Sequence, residues 1–121
     1  MVKVLGIGGL FFRAKDPAAL AAWYEKHLGI NPPPSTAEGA PWNADAGVTV
    51  FAPFPEDSTY FPSERSFMIN FRVADLGEAL EELGAAGIDC SEVLRMDGIG
   101  KFARIHDPEG NPIELWEPET P

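Results

Sequence analysis

Asp107-Pro108-Glu109-Gly110-Asn111-Pro112-Ile113-Glu114-Leu115 joins two stretches in which apolar and polar residues alternate. Asp and Asn bond their own backbone in turns, Pro presets φ, and Gly supplies positive φ, so residues 107–111 form a turn. The flanks, Gly100–His106 and Pro112–Trp116, read as strands. A turn confined to 107–111 sets the hairpin register. It places His106 opposite Pro112, Arg104 opposite Glu114, and Phe102 opposite Trp116. Directly opposed side chains lie about 5 Å apart. An Arg–Glu ion pair is therefore expected beside an aromatic pair, on one face.

Working outward, Asp75 is the N-cap of a helix, with Glu78 three residues on as a capping box. Leu76, Ala79, Leu80 and Leu83 form its apolar face, and Gly87 stops it. Ser66–Val73 precedes this helix as a strand and Asp89–Met96 follows it as another. The same grammar occurs earlier. Val4–Arg13 reads as a strand, Asp16 as an N-cap, and Pro17 as the first helical residue. The helix Ala18–Leu28 faces inward through Leu20, Trp23, Tyr24 and Leu28, and Gly29 ends it. Phe12-Arg13-Ala14-Lys15-Asp16 aligns with Phe71-Arg72-Val73-Ala74-Asp75, and Gly29-Ile30 echoes Gly87-Ile88. This internal repeat predicts two βαβββ modules, at about residues 1–53 and 66–121. Asn31–Asn43, rich in Pro and Gly, holds short extended pieces at best, and Ala46–Pro53 reads as a strand. Phe54–Arg65 is polar and broken by proline but carries Tyr60 and Phe61; it reads as a linker or lid.

The chain of 121 residues is 45% hydrophobic, enough for one domain with a real core. Its 8 Phe, 3 Trp and 2 Tyr argue against disorder. Nineteen acidic against nine basic residues give a net charge of −10, which repels phosphate backbones and argues against nucleic acid. No apolar run approaches the ~20 residues of a membrane span. Val4–Phe12 is followed at once by Arg13, Lys15 and Asp16 with no small-residue cleavage site, so it reads as a strand rather than a signal sequence. The single cysteine, Cys90, has no internal disulfide partner, which suits a reducing, cytoplasmic compartment.

Strand residues alternate between faces. One set is aliphatic or aromatic: Leu10, Phe12, Val48, Val50, Ile69, Phe71, Val73, Ala103, Ile105, Ile113 and Leu115. It is expected to pack under the helices. The opposite face carries Phe11, Arg13, Thr49, Phe51, Met68, Asn70, Arg72, Phe102, Arg104, Glu114 and Trp116. Aromatics mixed with Arg, Asn and Glu on one sheet face suit a ligand cleft.

These residues resemble the vicinal oxygen chelate superfamily of glyoxalases, bleomycin-resistance proteins and extradiol dioxygenases. One matching stretch holds Asp16-Pro17, Trp23-Tyr24 and Leu28-Gly29-Ile30. The other, more specific, is 107–115. The resemblance implies an α+β fold, with two βαβββ modules forming a curved mixed sheet around a cleft and helices outside. It also implies a homodimer, with the cleft within one chain or across a swapped pair, and 54–65 available as a hinge. Enzymes of the superfamily hold a divalent metal through His, Gln and Glu from four strands. Those positions fall here on Gly9, about Thr49, Met68 and Glu114, and only Glu114 matches. His27 and His106 lie elsewhere, on a helix and beside the turn. No metal and no cofactor is therefore expected, since catalytic sites usually need three or more protein ligands.

Without a metal the chemistry narrows. Cys90 has no base beside it in the sequence and reads as a small buried hydrophobe. Glu114 could serve as a general base, though mutual neutralisation with Arg104 is the plainer reading. The sequence thus favours a protein that binds a small aromatic or apolar molecule, neutral or with an anionic group. The alternative is a metal-dependent lyase, isomerase or dioxygenase with a degenerate site; metal content separates the two.

Overall fold

The computed structural model describes residues 1–32 and 41–119. Most of the expected Pro/Gly-rich stretch lies outside the described residues. Helix α1 (Pro17–Leu28) begins where the cap predicts: the Asp16 carboxylate accepts from the Ala19 N–H at 3.1 Å. It ends at Gly29, whose φ of 69° lies in the left-handed region that glycine tolerates without a Cβ clash. Helix α2 (Leu76–Ala85) starts in the same way, with Asp75 accepting from Glu78 N–H at 2.9 Å. The Leu76 N–H, another free donor of that first turn, is taken by the Glu117 carboxylate at 2.8 Å.

The sheet comprises β1 (Ile69–Arg72), β2 (Leu94–Met96), β3 (Gly100–His106) and β4 (Pro112–Pro118), in the order β1-β4-β3-β2. β1 runs parallel to β4, and the other neighbours are antiparallel. The β3–β4 hairpin has the register read from its turn, with His106 opposite Pro112, Arg104 opposite Glu114, and Phe102 opposite Trp116. Gly100 closes the far end at φ 135°, where a Cβ would run into the Glu117 carbonyl. The core forms between one sheet face and both helices: Leu20, Tyr24, Leu76, Leu83, Ala103, Ile105, Ile113 and Leu115 are buried together. Phe71 and Val73 pack against this cluster from the edge.

The first half of the expected strand set behaves differently. Val4–Arg13 and Ala46–Pro53 are not strands, and the described sheet is a single open one of four strands. Leu10, Val48 and Val50, expected under the helices, are exposed, as are Leu5 at 93% and Phe51 at 87%. Phe12 alone leans inward, edge-on to Tyr24 and Phe67. The physical reason is that alternation selects a face, whereas a strand also needs a neighbour to take its N–H and C=O groups. β3 and β4 have neighbours on both sides, so among the described residues the free edges are those of β1 and β2. Among the described residues, no helix is long and apolar enough to cross a membrane.

Candidate functional site

The turn that sets the hairpin is itself anchored from several directions. Asp107, buried, accepts from the Tyr24 hydroxyl at 2.7 Å, the Asn111 side-chain amide at 2.7 Å, and the backbone N–H groups of Glu109 and Asn111. Burial first, and then Asp107, pushes the Tyr24 phenol well above the ordinary tyrosine range. The Glu109 carboxylate accepts the N–H groups of Lys15 and Asp16, fixing the start of α1 to the turn. Arg65 bonds Asn111 Oδ1 at 3.1 Å and the Glu109 carbonyl at 3.0 Å, which fixes the end of the 54–65 segment.

Registers on both sides of β4 then set two rows on the face away from the helices. Asn70, Glu114 and Arg104 form one row, and Arg72, Trp116 and Phe102 the next. Phe102 and Trp116 are stacked, their rings 3° from parallel with centroids 5.9 Å apart. Trp116 is buried and donates its indole N–H to the Ile99 carbonyl at 3.0 Å.

Glu114, only 7% exposed, is the polar centre of the face. Asn70 Nδ2 donates to its Oε1 at 2.8 Å. Its Oε2 accepts the hydroxyl of Tyr60, which arrives from the 54–65 segment. The expected Arg104–Glu114 ion pair is not formed, although the two residues are opposite one another. Tyr60 takes up Arg104 instead: the guanidinium lies 5.5 Å from the Tyr60 ring centroid, and Nη2 donates to the Tyr60 carbonyl at 2.8 Å. Arg104 Nε is buried without a partner among the described residues. Partial burial of the Tyr60 phenol and its bond to Glu114 push its pKa up to about 12, against an opposing pull from Arg104. Beside Tyr60 lies a cavity of about 400 Å³ walled by residues 56–63 and Arg104.

The structure thus brings together Asn70, Arg104, Glu114, Phe102 and Trp116 of the sequence-derived set. Arg72 shares the face, but its guanidinium holds the carbonyls of Asp45 (2.7 Å) and Ala46 (3.5 Å). Met68 is half-buried just before β1. Phe11, Arg13, Thr49 and Phe51 stand outside the sheet in exposed segments, Phe11 at 94%. Tyr60 is the residue that sequence reasoning missed as part of this site. Its signal was an aromatic pair, Tyr60-Phe61, in an otherwise polar linker, which calls for cover.

Among the described residues, no three His, Cys, Asp or Glu side chains converge. The groups bonded to Glu114 are an amide donor and a protonated phenol, a pair that fits hydrogen-bond donation to the carboxylate and does not fit a divalent ion. Burial, with Asp89 second, pushes the Cys90 thiol up, away from the reactive thiolate.

The sequence model of the family described as "Glyoxalase-like domain" matches residues 9–116. No match was found among curated proteins. Among solved structures, the chain is similar to TnmS3, an antibiotic binding protein from Streptomyces sp. CB03234. That match has 23% identity over 87% of this chain and 88% of the other, with a TM-score of 0.58. It is also similar to a glyoxylase/bleomycin resistance protein/dioxygenase domain from Frankia sp. EAN1pec (16% identity, 97% and 100% coverage, TM-score 0.59). A third is lactoylglutathione lyase from Agrobacterium tumefaciens (16%, 86% and 87%, TM-score 0.50). At these identities the structural likeness concerns the fold.

Proposed function

The chain belongs to the glyoxalase-like domain family of the vicinal oxygen chelate superfamily, and on that footing we propose that it binds a small aromatic or apolar molecule on the Glu114 face without a catalytic metal. One observation carries the reading. The superfamily's one matching metal position, Glu114, has its two carboxylate oxygens taken by the Asn70 amide and the Tyr60 hydroxyl, which compete with a cation for them. The stacked Phe102–Trp116 pair alongside supplies an apolar, aromatic wall. The fold likeness to an antibiotic binding protein is consistent with such a role.

The proposal includes a homodimer. Residues 4–13 and 46–53 keep a strand-like alternation but expose Leu5, Phe11, Val50 and Phe51. Large apolar side chains left exposed in this number suit an interaction site. A second copy that covers these segments would bring Phe11, Arg13, Thr49 and Phe51 toward a shared cleft. We read residues 1–121 as one domain acting in the cytoplasm, where an unpaired Cys90 is stable.

Two measurements test this reading. Purified protein is expected to hold far less than one equivalent of Zn, Ni, Mn or Fe, and adding these ions is expected to leave Tm unchanged. One equivalent of tightly bound divalent metal, or metal-dependent turnover of a glutathione hemithioacetal, would restore the enzyme. Sedimentation equilibrium at micromolar concentration should give twice the chain mass; a monomer alone would remove the dimer.

A further inference from the structure

We propose that Tyr60 occupies the ligand's place on the Glu114 face, and that the ligand is a hydroxylated aromatic molecule whose hydroxyl donates to Glu114 in place of the Tyr60 hydroxyl. The inference rests on the binding reading above and narrows it to a chemical class.

Glu114 is buried, and a buried carboxylate needs its hydrogen bonds. Its two donors differ in kind. Asn70 is fixed by the parallel β1–β4 pairing, directly opposite Glu114. Tyr60 belongs to no strand or helix and reaches Glu114 from 54 residues away in sequence. Its segment is tethered at the Arg65 end, while Tyr60 itself remains exposed. The bond between Tyr60 and Glu114 is therefore the exchangeable one. An open groove of about 400 Å³, lined by residues 56–63 and Arg104, adjoins Tyr60.

The contacts of Tyr60 describe what can replace it. A ring lies under the Arg104 guanidinium, a hydroxyl donates to Glu114, and the stacked Phe102–Trp116 pair forms the next row of the face. A phenol or naphthol reproduces both polar features. A carboxylate or phosphate does not, because the carboxylate it would meet accepts and cannot donate. The cations of the face do not reverse this. Arg72 is committed to the Asp45 and Ala46 carbonyls, and Arg104 gives Nη2 to the Tyr60 carbonyl. The unpartnered Arg104 Nε leaves one donor for the oxygen of the incoming hydroxyl. The anionic group that the arginines suggested from sequence would meet Arg104 alone, beside the Glu114 carboxylate that repels it.

An internal competitor lowers apparent affinity by the fraction of molecules in which the site is open. Removing only the Tyr60 hydroxyl weakens the competitor while retaining its ring.

Isothermal titration with 2-naphthol, its methyl ether 2-methoxynaphthalene, and 2-naphthoate tests the proposal on wild type, Tyr60→Phe and Glu114→Gln. The wild type is expected to bind 2-naphthol at least about tenfold more tightly than the ether or the carboxylate, the scale of a hydrogen bond to a charged group. Tyr60→Phe should tighten 2-naphthol and the ether by a similar several-fold factor, because both must displace the Tyr60 ring. Glu114→Gln should bring 2-naphthol close to the ether. Equal binding of 2-naphthol and the ether would overturn the hydroxyl assignment while leaving the aromatic cleft in place. Tightest binding of 2-naphthoate would overturn it in favour of an anion site. Weaker 2-naphthol binding by Tyr60→Phe would show that Tyr60 assists the ligand and does not stand in for it. No binding of any probe to wild type or Tyr60→Phe would overturn both this inference and the binding reading.

Discussion

Phe12-Arg13-Ala14-Lys15-Asp16 and Phe71-Arg72-Val73-Ala74-Asp75 share a pattern, and each leads into a helix capped by its last residue. Their surroundings diverge. Phe71 and Arg72 lie in β1, paired with Leu115 and Trp116 of β4, and Val73 continues with its N–H on the Trp116 carbonyl at 2.8 Å. Phe12 lies in no strand and meets Tyr24 and Phe67 edge-on, and Arg13 is exposed. The difference teaches that a local pattern fixes the helix and its cap, whereas the sheet, and with it the face of each side chain, depends on which edge is at hand. The second half finds that edge in β4, and the first half is proposed to find its cover in a second copy.

The largest effect expected from this contrast is on stability. Leu115→Ala, at a fully buried position, should cost ~2–5 kcal/mol in urea melts. Val50→Ala, exposed in the chain, should stay within about 0.5 kcal/mol at dilutions where the protein is monomeric. A larger cost for Val50→Ala at high protein concentration would sharpen the contrast by placing Val50 in the interface. Equal costs at both positions under dilution would break it.

Next comes the β3–β4 turn, to which the start of α1 and Tyr24 are bonded. Asp107→Ala strands the Tyr24 hydroxyl, the Asn111 amide and two backbone N–H groups, and should cost about 2–3 kcal/mol. Tyr24→Phe removes one of those bonds and should cost about 1 kcal/mol. If Asp107→Ala were neutral, the Asp107 bonds would not be what holds Tyr24 to the turn.

A smaller effect concerns pH. Tyr24 and Tyr60 both sit above the ordinary value of 10.0 in the folded protein. Their protonated forms therefore favour folding fully below about pH 10, and that contribution declines as pH rises and the unfolded chain ionises first. Absorbance at 295 nm should show Tyr60 ionising near pH 12, and Tyr24 only with alkaline unfolding. Tyr60→Phe should remove the first step alone. Two normal tyrosines titrating near pH 10 would mean that neither phenol is held as described.

Much of this was legible in the sequence for local reasons. Asp16, Asp75 and Gly29 act on neighbours within one helical turn, and the 107–111 turn, by its length, sets Arg104 opposite Glu114 and Phe102 opposite Trp116. The missed parts are non-local. Tyr60 sits in a segment without periodicity, and its partners Glu114 and Arg104 are 54 and 44 residues away. Its intrusion is also why the expected ion pair fails, though its register is right. The strands expected at 4–13 and 46–53 show the same limit, because their alternation names a face without naming a neighbour.

The central claim is that Glu114 serves as a hydrogen-bond acceptor for a bound aromatic molecule and not as a metal ligand. Calorimetric titration of 2-naphthol into chelator-treated protein, with and without one equivalent of Zn²⁺, tests it most directly. The account predicts the same Kd in both samples. Binding that appears only with the metal present would contradict it.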